Sequence, residues 1–252
     1  MKKAVFLFAL LSCMLFAPNA RADFVFGDGT IHWPGFPSQN AKYGAEQNSK
    51  DVWGTPDILG GVFTFDGHYL TGIQIDYKYP TQSGWDAFAP ADWFFDVNAD
   101  GTWDYVITSQ ERLTDYATAR QPGDWAVYGV SLDFADPGSY YFSVAPSGFL
   151  PRYDHPVKAD LGDSELLGYA EFSGWRNSKP NTSTTYTALW DLSNSPIFFG
   201  GNGGEFIYGF ALTCANDVLY GTGPVPTPEP GTMLLLLGGA GAMFARRLRK
   251  MS

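Results

Sequence analysis

The stretch DVNADGTWD, residues 96–104, sets three aspartates and one asparagine into a short turn between the sticky flanks WFF and YVI. Asp96, Asn98 and Asp100 alternate, Gly101 follows, and Thr102 and Asp104 complete the series. Calcium is a hard cation that takes six to eight oxygens at ~2.3–2.6 Å. Alternate side chains in a tight loop can aim their oxygens inward, Gly101 allows the positive φ of a sharp turn, and Thr102 offers its backbone carbonyl. Three carboxylates this close repel one another without a cation. The spacing therefore predicts a calcium ion held by Asp96, Asn98, Asp100, Thr102 and Asp104, bound with a Kd on the order of 0.1–1 mM. Magnesium fits less well, because it prefers rigid octahedral geometry and keeps its waters. The alternative is a solvated hairpin turn, since Asn, Asp and Gly favour turns in any case.

The loop departs from an EF-hand. Counted from Asp96, the position that would carry the bidentate glutamate is Ile107, and the flanks read as strands. The pattern D-x-N-x-D-G-x-x-D instead resembles the calcium hairpins of integrin α-subunit propellers. That resemblance spans this one loop and implies no propeller.

Other residues offer less chemistry. His32, His68 and His155 stand alone, with no H-E-x-x-H, H-x-H or G-x-S-x-G pattern. Acidic pairs such as Asp163 with Glu165 leave a glycosidase open, but carboxylates are too plentiful to single one out. Cys214 is in phase with Phe206, Tyr208, Phe210 and Leu212, which points an inert thiol into a core. Trp33, Trp53, Trp85 and Trp175 sit near Gly, Pro or Ser, where exposed rings could stack on sugars; packing is the reading preferred for the tryptophans as a group. Asn181-Thr182-Ser183 matches a glycosylation sequon. No catalytic constellation is recognisable, and a non-enzymatic role is expected.

The elements that must carry the turn alternate with period two. Ile73, Ile75 and Tyr77 oppose Gln74, Asp76 and Lys78, while Tyr128, Val130, Leu132 and Phe134 oppose Gly129, Ser131 and Asp133. YYFSV, TYTALWDL and EFIYGFALTC continue the series, and turn clusters such as PTQSG, ADPGS and GGNGGE punctuate it. The expectation is an all-β chain with one β-sandwich domain of jelly-roll kind, preceded by a signal peptide and followed by a short transmembrane helix. Residues 28–58 read as a long irregular lead-in.

Both ends carry targeting signals. Lys2 and Lys3 precede an apolar run from Ala4 to Phe16, and Ala20-Arg21-Ala22 is an A-x-A site for signal peptidase, with cleavage after Ala22. A lipoprotein box at LLSC, with Cys13 as the lipidated residue, is the weaker alternative. At the other end Thr232 to Ala245 is almost wholly apolar, and Arg246, Arg247, Arg249 and Lys250 follow. As a helix this run reaches about 21 Å, a short span against a hydrocarbon core of roughly 30 Å, with the basic cluster kept cytoplasmic. Pro226, Pro228 and Pro230 keep the approach extended and open to a protease. The domains expected are residues 1–22, 23–223 and 224–252.

Pro228-Glu229-Pro230, the apolar run and the arginine cluster together resemble the PEP-CTERM sorting signal. FALTCANDVLYG, residues 210–221, is similar to the last strand of many PEP-CTERM proteins, with Ala215 where glycine is common. The resemblance implies recognition by an exosortase, membrane association during sorting, and delivery to the surface or exopolysaccharide matrix of a Gram-negative bacterium. The chain has 16 Lys+Arg and 26 Asp+Glu; without the seven basic residues and one acidic residue of its two end segments, nine face 25, a net of −16. Such a domain repels phosphate backbones, so nucleic acid is not an expected partner. The expected role is structural or adhesive at the cell surface or in a biofilm matrix. Carbohydrate binding to exopolysaccharide is the alternative, and a secreted hydrolase comes third.

Overall fold

Alternating apolar residues build strands along most of the computed structural model, which describes residues 21–28, 57–78, 89–109, 125–142, 156–175, 184–200, 204–213 and 217–226. Most of the signal peptide, the bulk of the 28–58 lead-in, Cys214, Trp33, Trp53 and Trp85, and the tail from residue 227 lie outside the described residues. The strands are β1 (Arg21–Gly27), β2 (Asp57–Asp66), β3 (Tyr69–Lys78), β4 (Pro90–Asp96), β5 (Thr102–Ser109), β6 (Trp125–Asp133) and β7 (Tyr140–Phe142). They continue as β8 (Pro156–Ala159), β9 (Glu165–Ser173), β10 (Thr185–Asp191), β11 (Ile197–Phe198), β12 (Glu205–Leu212) and β13 (Val218–Pro224). Among the described residues the helical piece is a 3-10 turn at Pro137–Ser139, opened by Asp136, whose side chain accepts from the Gly138 amide.

The all-β expectation holds, but the architecture differs from a sandwich of two sheets. One antiparallel sheet runs β1-β2-β3-β10-β9-β6-β5-β4-β12-β13, with β11 added on β3 and a separate β7–β8 pair. Strand β9 makes the sheet continuous, because its first part pairs with β6 and its last part with β10. The sheet curls until its two edges meet through side chains. Phe24 and Phe26 of β1 lie 5.7 and 5.3 Å from Phe206 and Tyr208 of β12, and the Ile58 amide of β2 donates to the Asp217 carboxylate beside β13. The result is a near-barrel filled with aromatic rings. Ile73, Ile75 and Tyr77 point inward as their spacing requires, and Trp93, Trp125 and Trp190 pack among them.

A second core lies outside the barrel wall. Phe94, Trp103, Phe134 and Tyr140 pack there with Val157 and Ala159 of the β7–β8 pair. Trp103 stacks on Phe134 at 4.0 Å and its indole N–H donates to the Tyr140 hydroxyl at 2.8 Å. Strand β4 is thus covered on both faces and every one of its residues is buried, which explains an apolar run too continuous for simple alternation.

Every neighbouring strand pair is antiparallel, so strand ends sort into two groups. One end of the barrel, called here the exit end, gathers the start of β1, the β2–β3 turn, the end of β10, the end of β6, the β4–β5 turn, the start of β12 and the end of β13. The chain leaves there at Val225, which is buried and donates its amide to the Gly204 carbonyl at 2.8 Å.

Asp92 fastens the outer pair to β4. Its carboxylate accepts from the Ala159 amide at 2.9 Å, and the Thr108 hydroxyl and Lys158 also favour its charge. Burial outweighs them and pushes its pKa up to about 7. A carboxylate whose folded pKa is raised holds its proton better when folded, so stability falls as pH rises from about 4 toward 7. Asp92→Asn, which mimics the protonated form, is therefore expected to match the wild type near pH 4 and to gain on it up to pH 8, by on the order of 4 kcal/mol. Paired thermal melts across that range check this; a constant difference would contradict it.

Candidate metal centre

The acidic turn is the loop between β4 and β5, and its shape comes from the Asp96 carboxylate. Asp96 is fully buried at the base of the turn. One of its oxygens accepts the amides of Asn98 at 3.2 Å and Asp100 at 3.3 Å, and the other accepts the Gly101 amide at 2.9 Å. Asn98 and Asp100 stand exposed at the rim, joined by Asn98 Nδ2 donating to Asp100 at 3.0 Å. Asp100 also accepts the Thr102 amide at 3.0 Å, and Asp104 accepts the Val97 amide at 2.8 Å. The chain turns through Ala99 at φ 56° and Gly101 at φ 91°, the second being the position where the sequence places glycine. All five residues named from the sequence therefore share one turn, with one carboxylate at the base and the rest around it.

The donor set suits a hard cation: three carboxylates, one amide oxygen and the Thr102 carbonyl, all oxygen. Electrostatics agree in sign. Partial burial lifts the Asp104 carboxyl above the usual range, the Val97 amide opposes this, and the charges of Asp96 and Asp100 push it further up. A cation would relieve that crowding. Ligands on opposite sides of a calcium ion stand ~4.8 Å apart, and the turn's carboxylates do not all come within that reach of one another. Binding would draw the exposed Asp100 inward toward the fixed Asp96.

Among the described residues the three carboxylates that do converge within 4.8 Å are Asp28, Asp57 and Asp217, at the opposite end of the barrel. Lys78 bonds Asp57 at 3.1 Å, so a cation already stands beside this trio. No spacing rule joins residues so distant in the chain. Strand pairing brings them together, and only the closing of β1 and β2 toward β13 reveals them. Of the remaining candidates, Trp175 stacks on Tyr77 at 4.2 Å, half-buried against the core. Glu165 begins β9, and Asp163 lies in the turn before it.

For Asp104→Asn the signs oppose in the two ion states. In chelator the substitution removes a charge that crowds Asp96 and Asp100, so Tm at pH 7 rises by roughly 1–3 °C. If the turn holds calcium, millimolar ion is expected to raise the variant's Tm less than the wild type's, because one carboxylate of the expected donor set is removed. Melts in both conditions check this, and a fall of Tm in chelator would contradict the crowding.

Known proteins inform the tail rather than the turn. No curated protein and no solved structure matches the chain. Among the described residues no helix is long and apolar enough to cross a membrane, and the apolar run at residues 232–245 lies outside them. Residues 226–250 match the PEP-CTERM protein-sorting motif, which covers Pro228, Glu229, Pro230 and the basic cluster. That motif is a substrate signal for exosortase, and it marks the chain for export and membrane-associated sorting.

Proposed function

We propose that this chain is a non-enzymatic protein of the cell surface or extracellular matrix of a Gram-negative bacterium, with a structural or adhesive β-barrel stabilised by one calcium ion in the β4–β5 turn. The buried Asp96 carboxylate supports the ion reading most strongly. It is anchored by three amides and rooted in a strand packed on both faces, so one ligand is fixed before binding. Asn98, Asp100, Asp104 and the Thr102 carbonyl complete the set. Calcium that binds only the folded state stabilises it by mass action, roughly 0.5–2 kcal/mol at millimolar ion for a Kd of about 0.1–1 mM. The ion pins one hairpin of the barrel. Signal peptidase and exosortase are its processing partners, and exopolysaccharide is the surrounding material.

A second reading, carbohydrate binding, draws on an exposed aromatic pair. The rings of Tyr69 and Phe198 lie 5.2 Å apart, both nearly half exposed, with His68 beside Phe198. Rings of this kind can stack on sugar faces. Retarded migration of the protein in a gel containing the producer's own polysaccharide, lost in Phe198→Ala, would favour this reading; unchanged migration would count against it.

The calcium reading is checked by melting the exported protein with millimolar calcium and with chelator. Calcium is expected to raise Tm by about 2–6 °C, and Asp100→Ala to abolish the rise. An unchanged wild-type Tm would reduce the loop to an ordinary acidic turn.

A further inference from the structure

The exposed rings of Tyr69 and Phe198 belong to a row of side chains that crosses four strands. Arg21 of β1 pairs with Asp66 of β2, Asp66 with Tyr69 of β3, and Tyr69 with Phe198 of β11. Residues paired directly across an antiparallel ladder carry their side chains on the same face, with about 5 Å from strand to strand. The chain neighbours Phe65, Leu70 and Ile197 are buried in the barrel core, so Asp66, Tyr69 and Phe198 face outward. A partly exposed carboxylate therefore stands next to two half-exposed rings whose centroids are 5.2 Å apart.

The adjoining row is polar. Asp23 pairs with Thr64, Thr64 with Gly72, and Gly72 with Asp191. A Cβ at Gly72 would meet its nearest neighbour, the Thr64 Cβ, at 3.6 Å, which is ordinary contact. Packing thus leaves space for a side chain there, and the glycine makes a shallow step between Thr64 and Asp191. A strand glycine of this kind is a place where a ligand can come close to the backbone. Hydrogen bonds from the Ser193 side chain and amide hold the Asp191 carboxyl below its ordinary range, so it stays charged.

Charge selects the occupant. Among the described residues the one base in these two rows is Arg21, at the sheet edge opposite Asp66. It precedes the expected cleavage point after Ala22, and the α-ammonium then left on Asp23 lies further along β1, opposite Thr64. The exported chain keeps Asp23, Asp66 and Asp191 around the rings and loses the guanidinium. Such a face repels uronate- or sulfate-bearing chains and attracts cations, and the faces of Tyr and Phe rings attract cations as well.

We propose that the Tyr69–Phe198 face binds a glycan with free amino groups, one sugar ring stacked on the aromatic pair and its ammonium beside Asp66. The proposal rests on the carbohydrate reading given above and adds the class of sugar. The rings supply apolar contact that any pyranose could use. Asp66 supplies the discrimination, because N-acetylation removes the charge that its carboxylate meets.

Short soluble oligomers separate these contributions. The exported protein is titrated with a glucosamine hexasaccharide and with its fully N-acetylated counterpart, at a mildly acidic pH where the free amines are protonated, with binding read by NMR. The amine form is expected to bind several-fold more tightly. Phe198→Ala should weaken both sugars. Asp66→Asn should bring the amine form down to the level of the acetylated one and leave the acetylated one unchanged. Glu165→Gln, which removes an exposed charge on β9 away from the two rows, should alter neither. Equal affinity for the two sugars, both lost in Phe198→Ala, would overturn the selection for amines and leave the carbohydrate reading standing. Amine-form binding that ignores Phe198 and falls as much in Glu165→Gln as in Asp66→Asn would be diffuse charge attraction and would overturn the site. Binding of neither sugar would remove the carbohydrate reading, and the proposal with it.

Discussion

Phe63 is the residue on which closure of the barrel turns. Its ring meets Phe24 and Phe26 from β1, Trp93 and Phe95 from β4, and Phe206 and Tyr208 from β12, at centroid distances from 4.4 to 6.2 Å. It therefore joins one edge of the sheet to strands that lie near the other edge. Such ring pairs contribute about 0.5–1.5 kcal/mol each beyond the area they bury. Small residues make room for this contact. A Cβ at Gly223 of β13 would stand 2.8 Å from the Phe206 ring and 2.9 Å from that of Phe24. Aromatic packing across the seam thus brings together edges that the strand ladder leaves at its two extremes.

Strand β4 links that core to the acidic turn. Trp93 and Phe95 face the barrel interior, Phe94 faces the outer core, and the strand ends in Asp96. A side chain rooted in a strand packed on both faces has little freedom, so the base of the turn is rigid while its exposed rim can adjust. That division suits a cation site in which one ligand is fixed and others close around the ion. Asp92, two turns of the pleat earlier, shows the cost of burying a carboxylate on the same strand with fewer donors. It has one amide and one hydroxyl, and burial raises its pKa to about 7.

Local patterns were legible in the sequence where one face of a strand meets one core. Ile73, Ile75 and Tyr77 alternate cleanly; Phe206, Tyr208, Phe210 and Leu212 also share the inner core, although β12 turns Ala211 to the outer one and is buried on both faces toward its end. The acidic turn was legible for a similar reason, since all its members lie within one hairpin. Global closure was not. Period two reports that a strand has an inside, but sandwich and barrel share it, and the choice here rests on β9 pairing to both sides. The trio Asp28, Asp57 and Asp217 stayed hidden for the same physical reason. β1 was masked by the leader, because the A-x-A site runs into it: Arg21 and Ala22 pair with Asp66 and Phe65. Cleavage after Ala22 still leaves Phe24 and Phe26 to fill the seam.

The central claim is that the turn after β4 binds calcium using a carboxylate the fold has already fixed. Calorimetric titration of the exported protein with calcium tests it most directly, with Asp96→Asn as the comparison. The account predicts one site per chain with a Kd on the order of 0.1–1 mM, lost in Asp96→Asn. No saturable heat in the wild type, or the same titration in the variant, would contradict it.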